Sequence, residues 1–208
     1  MCMLFRFIFV TVLLWQVSAC SLMNFQSNEL KPITVEFAEP NRIQFQGKGA
    51  GAGIALMSTM GPVGIALGVA IDEGIAKDIR KAVEMEQSDI QSQIKEQVSQ
   101  QLASHGYTVT DSKNVTYPKL VIKRYGFKIT NGSTDATAAE WVMELHLGPD
   151  NKRTVNYPKD FDKDSINSYV LADLKVNGQL GIELLNDSLQ RVMEVVYFSV
   201  DKSIEVTP

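Results

Sequence analysis

Between Gly49 and Ile71 the chain carries no charged residue, and this stretch, GAGAGIALMSTMGPVGIALGVAI, limits the fold more than any other. Small residues recur four apart: Gly49 with Gly53, Gly64 with Gly68, and Ala66 with Ala70, with Gly74 beyond. On a helix that spacing puts them on one face, where a second helix can approach closely. Each glycine costs about 1 kcal/mol relative to alanine inside a helix, so close packing must offset the loss. Gly61-Pro62 divides the stretch. Glycine just past one helix and proline at the start of the next are the preferred punctuation. The pattern therefore predicts a Gly/Ala-rich helical hairpin over residues 47–86, with Gly49, Gly53, Gly64 and Gly68 as helix-packing positions.

A bilayer span needs about 20 apolar helical residues. Residues 49–60 are too few, and residues 62–83 carry Asp72, Glu73, Lys77 and Asp78. Membrane insertion through residues 49–83 would therefore need a ring of subunits to shield those charges. Close packing of the hairpin on the body of its own domain is the alternative to any role between molecules.

The flanking sequence predicts an α+β fold. Ile33–Phe37 and Ile43–Gln46 alternate apolar and polar residues, as half-buried strands do, and Glu39-Pro40-Asn41 suggests a hairpin turn between them. Ile71, Ile75, Ile79 and Val83, then Ile90, Ile94, Val98 and Leu102, form an amphipathic stripe with a break expected near Glu86–Asp89. Strands are expected at Tyr107–Thr110, Lys119–Thr130, from Trp141 through Leu147, and at Thr154–Tyr157. A last helix is expected over about Gly181–Ile204, with Leu185, Leu189, Val192, Val196, Val200 and Ile204 as its stripe. Clean alternation implies an antiparallel sheet with one wet face and helices packed on the other.

The amino terminus adds an address. Arg6 is the only charge before Glu29, an apolar run Phe7–Trp15 follows, and the segment exits through Val17-Ser18-Ala19-Cys20. A positive start, a short apolar core and a small-residue exit describe a secretory signal. The exit resembles the lipobox of bacterial outer-membrane lipoproteins. That resemblance implies lipidation of Cys20, removal of residues 1–19 and a membrane anchor, with residues 20–31 as anchor and tether and 32–208 as a single domain. Ser21 after the lipidated cysteine implies the outer membrane with the domain facing the periplasm, or the cell membrane in a Gram-positive source. The order of elements resembles that of small periplasmic lipoproteins of the lipopolysaccharide-assembly and ABC-transport-auxiliary type, although no motif residue carries over. The Gly/Ala arm is loosely similar to the apolar segments of surface-exclusion lipoproteins of conjugative plasmids.

Composition and motifs narrow the chemistry. The formal charge of −4 becomes −5 once Arg6 is removed, and no Lys/Arg cluster is present, which argues against nucleic acid as a partner. With Cys2 in the leader and Cys20 under lipid, no thiol remains for a disulfide, a nucleophile or a metal site. Asp160, Asp162 and Asp164 begin like a calcium loop, but Ser165 and Leu171 stand where that motif needs Gly and Glu. His146 shares the polar side of its strand with Glu144, yet no nucleophile elbow or metal spacing accompanies either histidine. Gly47, Gly49, Gly51 and Gly53 fail both the dinucleotide and the Walker pattern. The sequence thus predicts no enzyme, cofactor or metal. It predicts a lipid-anchored envelope protein with a structural, assembly or transport-accessory role, partnered by the membrane through its lipid and by a second copy or another envelope protein. A periplasmic hydrolase is the weaker alternative.

Overall fold

The computed structural model describes residues 30–86, 89–111, 116–130 and 133–204, with side chains to Ser199. The leader, the lipobox and Cys20 lie outside the described residues, as do the side chains of Val200 and Ile204. Among the described residues seven strands and five α-helices follow in order: β1 Lys31–Phe37, β2 Gln44–Gln46, α1 Lys48–Met60, α2 Pro62–Glu86, α3 Ile90–Ser104, β3 Tyr107–Val109, β4 Lys119–Ile129, β5 Ala136–His146, β6 Lys152–Tyr157, β7 Tyr169–Val170, α4 Leu171–Val176 and α5 Gly178–Ile204. The fold is α+β, one sheet with helices packed on it.

The sheet is mixed. The order is β3-β1-β4-β5-β6, with β2 also on β4 and β7 also on β5. The β4, β5, β6 and β7 pairings are antiparallel, as the alternation predicts. By contrast, β1 and β2 do not form the expected hairpin with each other. Both lie parallel to β4 along one edge, β1 beside Lys119–Ile122 and β2 beside Gly126–Lys128. The turn at Glu39–Arg42 therefore carries the chain along the sheet edge instead of reversing it.

β4 holds its apolar residues on one face by a change of register. Leu120 and Ile122 pair with Leu145 and Met143, while Tyr125 and Phe127 pair with Trp141 and Ala139. The irregularity between Ile122 and Arg124 shifts the parity, so even positions before it and odd positions after it share the core. Trp141 is fully buried there, and its indole Nε1–H donates to Ser188 Oγ on α5 at 2.8 Å.

The helices cover that face. Ile79 and Val83 of α2, Ile94, Val98 and Leu102 of α3, and Leu185, Leu189, Val192 and Val196 of α5 are buried in one core with the strands. Asp89 caps α3 by accepting from Ser92 N–H at 3.0 Å, which fixes the expected break after Glu86. α5 begins three residues before the apolar stripe suggests, because the Asn177 side chain accepts from Gln179 N–H at 3.1 Å. The outer face of the sheet holds Glu36, Lys123, Arg124, Lys128, Glu144 and His146. α1 and the first turns of α2 project from the body at the sheet end where β2 finishes.

Candidate functional site

The hairpin is assembled by its glycines. Gly49, Gly53, Gly64 and Gly68 are the buried residues of α1 and of the first half of α2. A Cβ on Gly68 would meet Gly49 O at 2.3 Å, and one on Gly49 would meet Gly68 O at 1.7 Å. A Cβ on Gly64 would meet the Leu56 carbonyl carbon at 2.5 Å, and Gly53 lies 3.3 Å by the same measure from Gly64 O. At Gly49, Gly64 and Gly68 no real side chain fits against the facing backbone, and at Gly53 one would be tight, so the two helices meet main chain to main chain. The turn is made by Gly61 at φ 59, whose N–H donates to Met57 O at 2.9 Å.

A carboxylate from the second helix holds the base. α1 has no side-chain cap of its own. Asp72, on α2, supplies one: its Oδ1 accepts from Gly49 N–H at 2.7 Å and its Oδ2 from Gly47 N–H at 3.2 Å. An anion at a helix amino terminus satisfies orphan donors and opposes the positive end of the helix dipole. The residue that looked like a charge in need of shielding is a cap reaching across the seam. Beside it, Glu73 pairs with Arg80 at 2.6 Å and Arg42 at 3.4 Å, and Lys48 pairs with Asp135 at 2.7 Å.

Everything off the seam is open. Half of the large apolar side chains exposed among the described residues fall on residues 54–71: Ile54, Met57, Met60, Val63, Ile65, Leu67, Val69 and Ile71. Ile54 is 73% exposed and Val69 66%. These residues occupy several faces of both helices, not one stripe. A groove of about 670 Å³ lies between the hairpin and the sheet edge. Ile54, Met57, Ile65 and Val69 give it an apolar wall, and Arg42, Gln44, Gln46, Asp72, Glu73 and Lys128 line its base.

The other candidate groups are placed elsewhere. His146 Nε2 lies 3.2 Å from Glu144 Oε2 on the outer sheet face, and neither lines the groove. His105 closes α3 and stacks on Tyr197 with ring centroids 3.6 Å apart. Asp160 accepts from Asn156 N–H at 2.7 Å, and Asp162 accepts from Asp164 N–H at 3.4 Å, so both serve the local turn. Among the described residues no group of three or more His, Cys, Asp or Glu side chains is placed to hold a metal ion, and no helix is long and apolar enough to cross a membrane. Compared with protein-family models, curated proteins and solved structures, the chain has no match.

Proposed function

We propose that this chain is a lipid-anchored cell-envelope protein with a non-enzymatic accessory role, structural, assembly-related or transport-related. In this reading, acyl groups on Cys20 hold it at the outer membrane. The α+β body then stands in the periplasm, and the hairpin of α1 and α2 is its contact element. The exposed hairpin carries the reading. A soluble domain rarely leaves so large an apolar surface uncovered unless something binds there. The Val17-Ser18-Ala19-Cys20 exit supports the anchor, and two or three acyl chains hold a protein on a bilayer almost permanently.

Metabolic labelling with palmitate and membrane fractionation test this. The wild-type chain is expected to incorporate label and to fractionate with outer membranes. Cys20→Ala is expected to lose the label and to accumulate as precursor or as soluble product. An unlabelled wild-type chain would overturn the anchor.

A further inference from the structure

We propose that residues 49–71 enter one leaflet of a phospholipid bilayer, turn first, to the depth of Met60. This deepens the envelope reading by naming what the hairpin contacts, and it rests on that reading only for bringing the chain to a membrane.

A helix that is apolar all round calls for surroundings that cover it all round. A second copy of the chain docked on one side would cover Ile54 and Val69 or Val63 and Leu67, and would leave the rest in water. Lipid covers every face at once. Length agrees with a leaflet and not with a span. The 13 residues of α1 extend about 20 Å, against roughly 15 Å for half of a hydrocarbon core.

Polarity at the turn also fits. In lipid, every backbone and hydroxyl donor needs a partner within the protein. Ser58 Oγ–H donates to Ala55 O at 2.8 Å, and Thr59 Oγ1–H donates to Leu56 O at 3.2 Å. Gly61 N–H donates to Met57 O at 2.9 Å, and Gly64 N–H to Gly61 O at 3.0 Å. Both hydroxyls and the amides of Gly61 and Gly64 therefore give their hydrogens to acceptors within the hairpin. The backbone carbonyls of the seam are screened by the opposing helix. Charges begin abruptly at the base, with both signs together in the Arg42–Glu73 and Lys48–Asp135 pairs. Such a belt suits the phosphate and amine layer of the headgroups. The glycine seam keeps the inserted wedge narrow.

Flotation with vesicles tests the proposal. The chain from residue 20 onward is prepared with Cys20→Ser, so that no acyl chain contributes. It is mixed with vesicles of phosphatidylethanolamine and phosphatidylglycerol, three to one, and centrifuged through sucrose. It is expected to float, and an Ile54→Glu/Val69→Glu variant with the same thermal melt is expected to float at least about ten-fold less. A Cys20→Ser chain that stays at the bottom would overturn the proposal, as would equal flotation of the two proteins. Sedimentation velocity without lipid adds a further arm. A dimer or larger species that the double variant abolishes, with no flotation, would assign the hairpin to a second copy. Failure of palmitate labelling in cells bears on Cys20 alone and leaves this test intact, because the protein tested carries no lipid.

Discussion

At the scale of single residues, burial decides more than charge pairing. Glu140 is 4% exposed on the outer sheet face, with Arg124 Nε 3.1 Å and Lys128 Nζ 3.9 Å from its carboxylate. Burial nevertheless raises its pKa above the ordinary 4.5, and the two cations only partly oppose it. Arg124 Nη2 does donate to Glu140 Oε1 at 3.2 Å, but Glu140 Oε2 accepts no hydrogen bond, and burial outweighs the pairing. The folded chain thus holds this proton more tightly than the unfolded chain. The stabilisation is fully present below about pH 4.5 and is lost as pH rises through the raised value. Urea unfolding at pH 4 and pH 7 should therefore show a smaller loss of stability between the two for Glu140→Gln than for the wild-type chain. An unchanged difference would show that Glu140 titrates as an exposed carboxylate.

Trp141 makes the complementary case for an apolar residue with one polar atom. Its ring is stacked on Tyr125 with centroids 5.7 Å apart, and its N–H is satisfied by Ser188. Trp141→Ala should cost roughly 3–5 kcal/mol in denaturant unfolding, as large aromatic truncations in cores do. The burial of Trp141 could be read from the alternation of β5. Ser188 could not, because a serine among leucines looks the same whether it faces water or an indole.

At the scale of elements, the glycines of the hairpin divide into two kinds that sequence spacing alone does not separate. A Cβ on Gly51 would meet nothing within 4 Å, whereas one on Gly68 would strike Gly49 O at 2.3 Å. Helix propensity favours alanine at both sites by about 1 kcal/mol. Gly51→Ala should therefore raise the thermal midpoint and Gly68→Ala should lower it. Shifts of the same sign would mean that the helices have room to part, and the seam would lose its meaning.

The hairpin, the break after Glu86 and the apolar stripes of α3 and of α5 as far as Val196 were legible because each is a local period bounded by a local stop, at Gly61-Pro62, Asp89 or Asn177. The pairing of β1 and β2 was not. Two short alternating runs around a proline turn look like a hairpin, and nothing local says that both will lie parallel on a strand some eighty residues further along. The bulge in β4 was hidden for a related reason: an apolar parity that changes in mid-strand resembles two strands or a loop. Asp72 was visible as a charge but not as a cap, since its partners at Gly47 and Gly49 precede it by more than twenty residues.

At the scale of the molecule, the proposed anchor and the hairpin leave opposite ends of the sheet. Lys31 pairs with Tyr107, Thr34 with Lys119 and Gln46 with Lys128. At about 3.3 Å per residue this register separates Lys31 from Gln46 by about 40 Å. The path from Cys20 to Lys31 spans at most about 40 Å when fully extended. A lipidated chain standing on its hairpin can therefore reach its own leaflet only with the tether close to full length. Removing residues 23–28 shortens that reach by about 20 Å. The lipidated deletion variant is expected to keep its palmitate and its fold, and to lose protection of the hairpin from a water-soluble thiol reagent at Met60→Cys. Retained protection would show that the body lies along the membrane or that the hairpin is covered by protein.

The most direct measurement is a depth profile of the hairpin on vesicles. Single spin labels at Ile54→Cys, Met57→Cys, Met60→Cys and Val69→Cys, and at Asp150→Cys on the body, would be read by their relative accessibility to oxygen and to a water-soluble nickel chelate. The account predicts that oxygen access gains over nickel access from the base to Met60, with the deepest label near the middle of the bilayer and Asp150 in water throughout. Nickel access that stays uniform and high along the hairpin in the presence of vesicles would contradict it.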